Sequence, residues 1–141
     1  MRFRLLLLSL VLLISCGKLK ELPTSPDGGD GIPVDPTATF TRVKSEILPT
    51  CAAVGCHGRI APQQNLVMTP DVAYAQMVGV QSVEVPSLKR VMPGDATNSY
   101  VYRKISGVGI TGDRMPQGGP FLTDAQTALV RDWIRRGAPN E

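Results

Sequence analysis

The chain is 141 residues long and carries 12 prolines, 14 glycines and 5% aromatics, so it has material for one small domain with a modest core. Its formal charge of +3 argues for neither a nucleic acid nor a polybasic membrane patch. Three cysteines and one histidine bound the thiol and imidazole chemistry available to it.

The first element reads as an export signal. Arg2 and Arg4 form a basic start, and Leu5 to Ile14 form an almost unbroken apolar run. As a helix that run would span about 15 Å, half of the roughly 30 Å that a bilayer core requires. Its end, "LISC" at Leu13 to Cys16, resembles the bacterial lipobox. The resemblance implies that residues 1–15 are a lipoprotein signal peptide and that Cys16 is acylated as the mature N-terminus. Several acyl chains hold a membrane more firmly than one, so this expectation is a lipid-anchored protein. An ordinary secretory signal with a chance cysteine at its end is the alternative. Cleavage there removes two arginines and no acid, which takes the formal charge from +3 to +1. Export also places Cys51 and Cys56 in an oxidising compartment, the bacterial cell envelope, on the periplasmic or outer surface side.

Residues 16–38 follow as a flexible tether. Gly17 to Ala38 contain four prolines, four glycines and no apolar periodicity. Asp27, Asp30 and Asp35 match no full calcium-binding loop. The folded domain is therefore expected over 39–141.

Within it, Thr39 can cap a first helix that carries Phe40, Val43 and Ile47 on one face, with Pro49 as its stop. Thr69-Pro70 signals a second helix, running to about Val78 and ended by Gly79. The stretch "NSYVYRKISG" predicts a third, from Asn98 or Ser99 to Ile105, ended by Gly107. The last helix has the strongest signals. Thr123 and Gln126 form a capping-box pattern, Ala125, Leu129 and Trp133 recur every four residues, and Val130 and Ile134 widen the stripe. Arg135 and Arg136 suit its C-terminal end, where Gly137 and Pro139 stop it. No stretch alternates like a strand. The expected class is mostly α, with long loops at 57–68, 80–97 and 107–121. Loops of that length are uncommon unless they serve a function, and here they leave room for a bound group to fill the middle.

The chemistry concentrates in "CAAVGCHG", residues 51–58, which holds Cys51, Cys56 and His57. A c-type haem needs two thiols for thioether bonds and a histidine beside the second to ligate iron. Cys56-His57 supplies the adjacent pair, and Cys51 makes the motif C-x4-C-H where C-x-x-C-H is common. Three other readings stand beside it. Cys51 and Cys56 could form a disulfide that staples a small exported domain. The three residues could start a zinc site, although no fourth Cys or His follows. A thiol oxidoreductase lacks its C-x-x-C spacing. No nucleophile-base pair is left for an enzyme once the sole histidine is assigned to the cluster. Of the methionines, Met77 lies in a helical apolar pattern, Met68 follows the cluster without special context, and Met92 and Met115 both precede proline.

The order CH, "YAQMVGVQS", "VMPGDATNSYVYRKISG", "RMPQGGPFLT" and "VRDWIRRGA" resembles the planctomycete-type cytochrome c domain over roughly residues 39–138. The resemblance implies a small cytochrome c-like helical domain with long loops around a haem c. It implies covalent attachment at Cys51 and Cys56, His57 as proximal iron ligand and Met115 as distal ligand, with Met92 in reserve. It further implies that the first and last helices cross, bringing Phe40 against Trp133. The function it implies is electron transfer with redox partner proteins of the envelope, not enzymatic turnover. The alternative is a haem-free, disulfide-stapled domain of the same fold serving as a structural or interaction module.

Overall fold

The computed structural model describes residues 31–141; the expected signal peptide, Cys16 and the expected tether as far as Asp30 lie outside the described residues. What is described is mostly helical, as expected. Among the described residues there are five α-helices, α1 (Phe40–Glu46), α2 (Leu48–Cys51), α3 (Ala73–Met77), α4 (Tyr100–Ser106) and α5 (Asp124–Arg135). A 3-10 turn at Gln63–Asn65 and isolated β-bridges, such as Val78 with Val91, make up the remaining regular pairing. Among the described residues no helix is long and apolar enough to cross a membrane.

Local chemistry sets the helix ends. Thr39 accepts from the Arg42 amide at 3.2 Å and starts α1. Ile47 then leaves regular helix geometry at φ −115°, ψ −52°, and α2 begins at once with Pro49 in its first turn. Proline lacks an N–H but needs none there, so Pro49 opens a helical turn and does not close one. That corrects the expected stop, and it matters because the turn delivers Cys51. Similarly, the second predicted helix is shorter than expected. Val72 sits at φ −121°, ψ −13°, so regular helix starts at Ala73 and not near Pro70.

Ser99 precedes α4 as predicted but makes no side-chain cap. Its buried hydroxyl instead donates to the Asp95 carbonyl at 2.7 Å and accepts from the Met92 amide at 2.8 Å, folding the "MPGD" turn. Gly107 ends α4 at φ 80°, a left-handed conformation that glycine adopts without steric cost. At α5 both halves of the Thr123–Gln126 capping box are present.

The core is built on α5, which packs against both α1 and α4. Phe40 and Trp133 stack with centroids 5.2 Å apart and planes 29° off parallel, and Tyr74 meets Phe40 edge-on at the same distance. The expected meeting of first and last helices is therefore present. Both ends of the described segment are pinned to this core. The C-terminal tail supplies the Pro139 carbonyl to Trp133 Nε1 at 3.0 Å and the Glu141 carbonyl to the Thr41 amide at 2.8 Å. From Asp35 the chain also departs from the tether reading. The Asp35 amide donates to the buried Asp132 at 3.2 Å, and Ala38 is fully buried with its carbonyl held by Arg136.

Candidate functional site

The cluster folds into a tight loop that closes back on α2. The His57 amide donates to the Cys51 carbonyl at 3.1 Å, and the Cys56 and Gly58 amides both donate to the Ala53 carbonyl, at 3.1 and 3.0 Å. The His57 carbonyl then accepts from the Met68 amide at 2.7 Å, which brings the far end of the 57–68 loop alongside.

Gly58 is what lets this loop close. A Cβ there would lie 2.8 Å from the carbonyl oxygens of both Ala52 and Ala53, backbone atoms that cannot swing away. Gly58→Ala is expected to cost about 1–3 kcal/mol, the range for forcing extra volume into a packed site. Urea denaturation of wild type and variant checks this, and equal stabilities would show that the loop can open without penalty.

The ring of His57 is half-buried and fixed in orientation. Nδ1 lies 3.2 Å from the Leu66 carbonyl, which accepts only and so places the proton on Nδ1. In that tautomer the lone pair lies on Nε2, the nitrogen through which an imidazole could ligate a metal. Burial pushes the imidazole pKa below its ordinary value, the bonds to Leu66 and Gln63 oppose this in part, and the charges of Arg90 and Lys104 add to it. The net direction favours the neutral form, the one that ligates metals.

His57 lies on the wall of a cleft of about 300 Å³, at the small end of the range for ligand pockets. Cys51, Leu66, Met68 and Met115 also line it, with Val101 and Ile105 of α4. Gln63, Val83, Asp113 and Gln117 stand at its edge and are exposed, so the cleft opens to solvent. Cys51 is partly buried, its sulfur 3.6 Å from the Ile47 carbonyl, and burial pushes the thiol pKa up. Cys56 is exposed and is not part of the wall, although it neighbours His57 in the chain. Both cysteines are free thiols, so the disulfide alternative is not formed here. Among the described residues no three His, Cys, Asp or Glu side chains gather into a metal-holding group.

The methionines separate clearly. Met115 lines the cleft and packs on the core, its amide donating to the Lys104 carbonyl at 2.9 Å. Met77 is 1% exposed and belongs to the core, as its helical pattern predicted. Met92 is 39% exposed and lies off the cleft, because the Ser99 hydroxyl holds its amide in the turn before α4. Met92, the reserve ligand, thus does not share a cleft with His57. Met68, passed over for lack of context, is 5% exposed and lines the cleft.

Sequence reasoning also missed a polar part of the wall, formed by Glu84, Arg90, Tyr100 and Lys104. Buried Arg90 donates to the carbonyls of Gln76, Gln64 and Asn65 at 2.8, 3.0 and 3.2 Å. It clasps a segment in which Gln64 and Asn65 have left-handed φ values of 52° and 50°. No spacing in the sequence links these four residues to the cluster. Comparison of the chain with protein-family models, curated proteins and solved structures finds no match in any of the three.

Proposed function

We propose that the cleft holds a c-type haem and that the protein is a cytochrome c-like electron carrier of the bacterial envelope, anchored by lipid on Cys16. The observation that carries this reading is that Met115, remote in sequence from the Cys51–His57 cluster, shares one cleft with both residues. These residue types are the ones such a haem requires: an imidazole with a free Nε2, a thiol and a thioether. Cys56 would supply the second thiol from its place beside His57. When bound, haem supplies a one-electron iron couple. The chain's own part is to present Nε2 through the Nδ1–H bond to Leu66, to surround the group with Leu66, Val101 and Ile105, and to leave one side open toward redox partners.

One observation favours a second reading, the haem-free module of the same shape. Cys56 is exposed and off the cleft, where it is free to find another partner. Intact mass spectrometry of envelope-expressed protein, paired with a visible spectrum before and after reduction, separates the two. The expected result is a mass raised by one haem and by lipid, with haem retained on denaturation because thioethers survive unfolding. A colourless protein, lighter than the reduced chain by the roughly two hydrogens lost on forming an S–S bond, would establish the module instead. An unmodified N-terminus other than Cys16 would remove the anchor.

A further inference from the structure

Three segments meet around Glu84, and all three contribute to the cleft: the 80–90 loop, α4, and residues 107–115 that follow α4. Glu84 Oε2 accepts from the Tyr100 hydroxyl at 2.7 Å and pairs with Lys104 Nζ at 3.2 Å. The same two partners grip Thr111 from both sides of its residue. Lys104 Nζ donates to the Thr111 carbonyl at 2.9 Å, and the Thr111 amide donates to the Tyr100 hydroxyl at 3.2 Å. Four residues onward, the Met115 amide donates to the Lys104 carbonyl. The ion pair is substantially sheltered, with side chains 11% and 21% exposed for Lys104 and Glu84. Shelter of this kind makes the geometry more restrictive than that of a surface pair.

We propose that Glu84 is a positioning residue whose carboxylate orients Tyr100 and Lys104 so that they clamp the 107–115 segment to α4 and hold Met115 at the cleft. Without the carboxylate, the Lys104 ammonium has no counter-charge to fix its direction and the Tyr100 hydroxyl has no acceptor. Both grips on Thr111 then loosen together, while the apolar packing of α1, α4 and α5 is untouched. The clamp itself is independent of any bound group. Its bearing on an iron ligand rests on the haem reading above.

Amide hydrogen exchange by NMR on the full chain tests the clamp, and imidazole binding to the haem-loaded protein tests its consequence. In Glu84→Ala the Thr111 and Met115 amides are expected to exchange about tenfold faster or more, the scale of losing one charge-assisted hydrogen bond, with α5 amides unchanged. Glu84→Gln keeps an acceptor for Tyr100 but not the charge for Lys104, so it should fall between wild type and Glu84→Ala. Both variants should bind added imidazole more tightly, in the same order. Unchanged exchange at Thr111 and Met115 in both variants would overturn the proposal. So would acceleration spread equally into α5, which would mean general destabilisation. Faster exchange confined to 107–115 with unaltered imidazole affinity would uphold the clamp and take the ligand role from Met115.

Discussion

On the haem reading proposed above, Met115→Ala is expected to lower the reduction potential and to open a coordination position for added ligands, while Met92→Ala changes neither. A neutral thioether favours ferrous over ferric iron, so a Met/His pair raises the potential. In a one-electron couple each tenfold preference is worth about 59 mV, and a preference of about a hundredfold would give a fall of roughly 120 mV. Met92 serves as the control because its exposed side chain lies off the cleft.

Met68→Ala is the more searching comparison, since Met68 also lines the cleft. Its amide is bonded to the His57 carbonyl, so its backbone is tied to that of His57 itself. Met115 is bonded to α4 and enters from the wall that α4 builds. On the same haem reading, a thioether partner to His57 would come from another part of the wall, as Met115 does. Redox titration of the three variants decides between them. A shift in Met68→Ala alone would transfer the role to Met68, and no shift in any would remove methionine ligation.

How much of this was legible in the sequence follows from the range of the interactions involved. The starts of α1 and α5 were readable because a capping side chain and its target amide lie three residues apart. The end of α4 was readable because Gly107 marks a left-handed residue. The role of Pro49 was misread because proline stops a helix from its interior yet suits a first turn, and only the break at Ile47 decides which applies. At the site, Cys51, Cys56 and His57 were visible as a cluster, and Met115 through the family resemblance. Glu84, Arg90, Tyr100 and Lys104 were not: helical spacing relates Tyr100 to Lys104, but nothing in it reveals Glu84 as their partner or the carbonyls that Arg90 clasps.

Trp133→Ala should be the most damaging single change to the fold, by about 3–5 kcal/mol on the scale of large aromatic truncations. Trp133 is 1% exposed, stacks on Phe40 and so joins α5 to α1, and its Nε1–H is satisfied by the Pro139 carbonyl. The variant would therefore lose apolar burial, an aromatic pair and the anchor of the C-terminal tail together. Small domains have roughly 5–15 kcal/mol of stability in all, so this loss takes a large share of it. Trp133→Phe should cost less, because a ring remains over Phe40 and only part of the volume and the bond to Pro139 go. Chemical denaturation of both variants measures the difference. The tail gives a second readout: the Glu141 carbonyl that caps the Thr41 amide should be released in Trp133→Ala, exposing that amide to exchange before the core opens. A loss below about 1 kcal/mol in Trp133→Ala would mean that α1 and α5 are joined by something other than this stack.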